Sequence, residues 1–140
     1  MLKNIYEILK EVEDAKSEED AVWVLKYNSR FALKSVLQGM FNPKVKFLFT
    51  EIPKYKESDS PVGMGYTSID QEIHRAYLFV EGDPRSPNLT PKRREEILIQ
   101  ILEALESKEA QVFANMILKK NPYKGLTYKI VEKAFPDILA

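Results

Sequence analysis

The chain has 140 residues, of which 44% are hydrophobic, 30% charged and 11% aromatic, the make-up of one ordinary globular domain spanning residues 1–140. It has no cysteine and a single histidine, His74, which excludes a disulfide framework, a thiolate nucleophile and a metal cluster built on cysteine or several histidines. Formal net charge is zero, which argues against a strong non-specific polyanion binder.

From the N-terminus, Ile5, Ile8, Leu9 and Val12 form one stripe at helical spacing over 2–14. Ser17 followed by Glu18, Glu19 and Asp20 reads as an N-cap with acids in the first turn. The helix over 18–27 is expected to bury Val22, Trp23 and Leu25 or close neighbours. Asn28 or Ser29 is the expected cap of a third helix, Arg30 to Phe41, with Phe31, Leu33, Val36, Leu37 and Met40 inward and Asn42-Pro43 as its stop.

Val45, Phe47 and Phe49 alternate with Lys46 and Leu48, so residues 45–49 suit a short extended segment. Residues 50–66 have loop composition, with Pro53, Pro61, Gly63 and Gly65. Thr67 or Ser68 is expected to cap a fourth helix running through Val80, with Ile69, Ile73, Ala76, Tyr77 and Val80 inward and Gly82 at C′. After Pro84 and Pro87, Thr90-Pro91 signals a helix start, and Ile97, Leu98, Ile101, Leu102 and Leu105 repeat along it. Ser107 is the expected cap of the next helix, with Val112, Phe113, Met116 and Ile117 inward and an end near Asn121-Pro122. Thr127 caps the last, with Ile130, Val131, Ala134 and Phe135 inward and Pro136 as its stop. The expected fold is mainly all-α, a bundle of six to seven short helices.

Catalytic chemistry finds little support in these residues. His74 lacks a recognisable triad context and reads as a surface or boundary residue. Glu18-Glu19-Asp20 and Glu95-Glu96 are assigned to first helical turns, where the helix dipole accounts for them. Gly63-Met64-Gly65 is only a fragment of a phosphate loop, with no Gly-Lys-Ser/Thr after it. Pro136-Asp137 begins like a metal-dependent nuclease motif, three residues before the sequence ends. No enzyme, metal or cofactor is expected. No run approaches the roughly 20 apolar residues of a membrane span, and no signal-peptide core opens the sequence, so the expected address is cytoplasmic.

Charge is nevertheless distributed in blocks. Residues 1–27, 28–56, 57–107 and 108–140 carry −3, +5, −5 and +3, which leaves room for a local basic face. The candidate is the segment from Leu118 to Lys129, read as helix, turn and helix with lysines before, within and after the turn. Lys119, Lys120, Lys124 and Lys129 supply counter-charge for phosphates, and the N-terminus of the last helix, with Thr127, offers hydrogen-bond donors. The same lysines also suit an ordinary solvated face.

The segment resembles the end of the N-terminal DNA-binding domain of ATP-dependent DNA ligases, in the compact form found in T-even-like bacteriophages. The shared features are the helix, a basic turn with Gly125, the Thr127-capped helix and terminal Phe135-Pro136-Asp137-Ile138-Leu139. Ile5-Tyr6-Glu7-Ile8-Leu9, Lys16-Ser17, Asn28 before Leu33, Val36 and Leu37, and the pair Arg94–Leu105 and Lys108–Met116 agree as well. Gly63-Met64 through Thr67 to Asp70 is a weaker echo. The likeness covers roughly 2–41 and 92–139, and small T-even-like phage proteins share the same outline.

It implies an all-helical domain gripping duplex DNA by its phosphates, with Lys119 or Lys120, Lys124, Gly125, Thr127 and Lys129 as the contacts. The turn Asn121-Pro122-Tyr123-Lys124 is longer than in the ligases, and lysines stand where they favour arginine. No Lys-x-Asp-Gly adenylation motif occurs, and the sequence ends where a ligase continues into its nucleotidyltransferase domain, so ligation by this chain alone is not expected. Two functions follow. One is a non-catalytic module binding double-stranded DNA, accessory to phage DNA metabolism in the host cytoplasm. The other is a protein-interaction or virion-associated module, binding a phage or host protein, which keeps the fold without DNA; zero net charge and the aromatic, proline-containing stretch from Phe47 to Tyr66 favour it.

Overall fold

Asn4 opens the first helix with a capping box: its side chain accepts the Glu7 N–H at 2.8 Å, and the Glu7 carboxylate accepts the Asn4 N–H. The computed structural model describes residues 2–61, 64–86 and 88–140. Its helices are α1 (Ile5–Asp14), α2 (Glu18–Tyr27), α3 (Phe31–Phe41), α4 (Ile69–Glu72), α5 (Pro91–Ala104), α6 (Ser107–Leu118) and α7 (Tyr128–Ala134). Two 3-10 segments, Ile73–Phe79 and Pro136–Leu139, complete the helical elements. The fold is a mainly helical bundle, as the periodicity predicts, with no helix among the described residues long and apolar enough to cross a membrane.

One continuous core joins the helices. The predicted stripes of α1, α5 and α7 are buried as read, including Leu9, Leu98, Leu102 and Val131. α2 packs between α1 and α7, α3 against α6, and α5 against α6. Phe79 sits at the centre, edge-on to both Phe49 and Phe113. Thr90 caps α5 by accepting the Arg93 N–H, with Pro91 in the first turn as expected.

Several expectations need correction. α2 buries Leu25 as expected, together with Ala21 and Val24, whereas Val22 is only partly buried against the core and Trp23 is 60% exposed. The small Ala21 allows close approach at i while Val24 and Leu25 follow at i+3 and i+4, so this stripe wins over its neighbour. Phe31, at the first position of α3, is exposed and stacks on His74 with centroids 5.1 Å apart. Asn28 ends α2 instead of capping α3, its amide donating to the Val24 carbonyl. Arg30 holds the N-cap position of α3 without a capping side chain, and makes a two-pronged ion pair with Asp70.

The fourth predicted helix is α-helical only through Glu72, then winds as a 3-10 segment. Three residues per turn align Ile73, Ala76 and Phe79, which explains why Phe79 is buried and Tyr77 only half-buried. The chain leaves that segment to pair with 45–49: the Leu48 N–H donates to Phe79 O at 2.8 Å and the Glu81 N–H to Lys46 O at 2.7 Å. The extended segment is thus a single antiparallel bridge, Phe47 to Val80. Gly82, φ +75°, lies in the following turn, one residue beyond the C′ position assigned to it.

Glu106, not Ser107, caps α6, its buried carboxylate accepting the N–H groups of Lys108 and Glu109. Glu95 and Glu96 fall beyond the first turn of α5, where Glu96 pairs with Arg93. α6 stops at Leu118, earlier than Asn121-Pro122, because Lys119 adopts a left-handed conformation with φ +53°.

Candidate nucleic-acid interface

The junction between α6 and α7 is held from below. The Asn121 amide donates to the Leu126 carbonyl, and its side-chain oxygen accepts the Tyr123 N–H at 3.0 Å. Tyr123 and Leu126 are buried, and burial pushes the Tyr123 hydroxyl up to about 12. Gly125 turns the chain at φ +84°, a conformation that costs an L side chain about 1–2 kcal/mol. The inward residues alternate with outward ones, so Lys120, Lys124, Thr127 and Lys129 are all exposed.

The structure separates the six sequence-predicted residues into different roles. Lys119 is not part of the exposed set. Its ammonium donates to the carbonyls of Gly39 and Asn42, both at 2.7 Å, closing the C-terminal end of α3. Burial draws its pKa below the usual lysine value. Lys120 has no carboxylate within ion-pair distance among the described residues. Lys124 uses its backbone N–H to bind Glu13 at 3.0 Å, leaving its side chain at the surface.

Lys129 approaches Glu18 at 3.6 Å, beside Lys133 at 3.3 Å. Lys133, then Lys129, holds the Glu18 carboxylate below the usual range. Such solvent-exposed pairs are weakly held, so their lysines are readily shared with another anion. Thr127 accepts the Ile130 N–H at 3.2 Å. α7 is only seven residues long, so its capped first turn is a weaker phosphate platform than the sequence suggested. The lysine side chains are left as the charged elements of the site.

Other candidate chemistry disperses. His74 lines an open cleft of about 360 Å³ with Asp83 and Arg85, which are paired with each other at 2.8 Å. Gly63 lies outside the described residues, as does Pro87. At Gly65 an added Cβ would lie 2.6 Å from the Glu106 backbone nitrogen, so close packing on the α5–α6 turn explains that glycine better than a phosphate loop does. Asp70, in the weaker ligase echo, holds Arg30. Among the described residues no group of three or more acids or histidines converges as a metal site.

Two features escaped the sequence reading. Glu106 and Glu109 are both buried, and Glu109 accepts the Tyr6 N–H at 2.9 Å; burial raises its pKa to about 7. Nothing local in the sequence marks them as buried, because Tyr6, the partner of Glu109, lies 103 residues away. The second is an exposed stack of Trp23 on Tyr27, with centroids 4.8 Å apart and planes 13° apart. Its one legible signal is aromatic spacing of i, i+4 on the face opposite Ala21, Val24 and Leu25.

No curated protein matches the sequence. Residues 8–121 match the family of unknown function DUF6433, and the chain belongs to that family.

Proposed function

We propose that this DUF6433 protein is a non-catalytic DNA-binding module that receives duplex phosphates on the exposed edge of the α6–α7 junction. The carrying observation is the division of that junction into a fixed underside, Tyr123, Leu126 and the Asn121 hydrogen bonds, and an outward set, Lys120, Lys124, Thr127 and Lys129. A turn already ordered in the free protein spends little further entropy on binding. Phosphate contacts of this kind position a protein on DNA without reading sequence.

The resemblance to the ligase DNA-binding domain supports the reading, and it suggests an accessory role in phage DNA metabolism within the host cytoplasm. Zero net charge keeps the expected affinity modest. Three phosphate contacts give a salt slope of about −3 in log K against log salt. Fluorescence anisotropy with nicked and intact duplexes over a salt series tests this. The double variant Lys120→Glu/Lys124→Glu is expected to lose most of the binding and flatten the slope by about 2. No binding to either duplex at low salt rejects the proposal.

Met64 and Tyr66, 70% and 92% exposed within the Phe47–Tyr66 stretch, favour a second reading as a protein-interaction module. It is selected if DNA fails to bind and Tyr66→Ser abolishes a crosslink to a phage or host protein.

A further inference from the structure

We infer that the open groove beside α2 accepts an unpaired nucleobase, so that the preferred DNA carries a single-stranded stretch next to its duplex. The inference rests on the DNA-binding reading above and deepens it. Trp23 and Tyr27 lie one helical turn apart and stack with nearly parallel planes, yet they are 60% and 71% exposed. Ala21, Val24 and Leu25 anchor the opposite face of α2 in the core, so a rigid element carries the pair. Two aromatic rings already stacked in water leave an outer π face open, and any base can extend such a stack.

The groove, of about 430 Å³, has Val22 and Trp23 as its apolar wall, with Lys26 and Lys133 beside them. Glu18 and Glu19 line it as well. Glu18 is held by Lys129 and Lys133, while Lys26 has no carboxylate within ion-pair distance among the described residues. Lysines from two helices therefore flank an aromatic platform, an arrangement complementary to a base with a phosphate on either side. Lys129 and Lys133 also belong to α7, which begins at the basic junction, so the groove and the proposed phosphate edge share one helix.

Trp23 is the only tryptophan in the sequence, so intrinsic fluorescence reports directly on this site. The protein is titrated with a blunt duplex, the same duplex bearing an oligothymidine tail, and oligothymidine alone, with anisotropy read in parallel. The tail is expected to quench Trp23 and tighten binding about tenfold over the blunt duplex. Trp23→Ala and Tyr27→Ala should each lose that tail-dependent gain, and both residues are exposed enough for the variants to fold.

Equal binding of tailed and blunt duplexes without quenching overturns the inference and leaves the duplex reading standing. Quenching by oligothymidine without duplex binding supports the groove and overturns the duplex reading. Failure of all three DNAs overturns both.

Discussion

The Glu109 carboxylate accepts the backbone N–H of Tyr6 at 2.9 Å and so joins the first turn of α6 to the first turn of α1. Glu106 caps α6 three residues earlier, which places two acids at one buried helix start. The favourable N–H contacts oppose the desolvation of Glu109, and desolvation is the larger effect.

Stability is therefore expected to fall with rising pH in a defined window. Below about 4.5 the Glu109 carboxyl is protonated in both folded and unfolded chains. Between there and about 7 the unfolded chain ionises first, which favours unfolding, and the loss is complete above the folded value. The contribution is about 3 kcal/mol at most. Urea unfolding at pH 5 and pH 8 checks it: Glu109→Gln should reduce the difference between the two pH values. An unchanged difference would show that other groups govern the pH dependence.

Lys119→Met should destabilise the fold by about 2 kcal/mol, since two charge-assisted hydrogen bonds to the end of α3 are lost. Its effect on DNA should differ from that of Lys120 and Lys124 variants. The melting temperature falls, while the salt slope of binding stays near the unmodified value, because the ammonium faces Gly39 and Asn42. A flattened slope would return Lys119 to the interface.

Gly125→Ala should cost about 1–2 kcal/mol through backbone strain alone, because the nearest atom to an added Cβ, Val12 O, is at an ordinary 3.7 Å. Gly125→Asn, better tolerated at positive φ, should recover part of the loss. Thermal unfolding distinguishes the two, and equal destabilisation by both would point to a steric cause.

Gly65→Ala works by a different route. An added Cβ meets the backbone nitrogen of Glu106 at 2.6 Å and the Ala104 carbonyl oxygen at 3.2 Å, neither of which is a flexible side-chain end. A loss of about 1–3 kcal/mol is expected as this contact opens, accompanied by weaker protection of the Thr67 amide, which donates to Ala104 O. Hydrogen exchange at Thr67 checks the local part of the effect.

Much of this architecture is legible in local sequence. Ser17, Thr90 and Thr127 each cap the helix they were expected to cap, and the stripes of α1 and α5 lead directly to the core. Local pattern fails where distant partners decide. Lys119 looks like any lysine in a basic run until Gly39 and Asn42, 80 and 77 residues away in sequence, are brought to it. Trp23 reads as core because hydrophobicity alone cannot choose between two adjacent stripes of α2. Of the candidate interface, the exposure of Lys120, Lys124 and Lys129 follows their sequence spacing, whereas the ion pairs with Glu18 arise from helix packing.

The bridge between Phe47 and Val80 ties together two segments that have little regular backbone pairing of their own. The Leu48 and Glu81 amides each find their acceptor across that bridge, so separation of the segments releases both to solvent in the same event. They should consequently exchange with deuterium at a common rate, faster than the amides in the middle of α5 and α6, and report a sub-global opening that leaves the helical core closed.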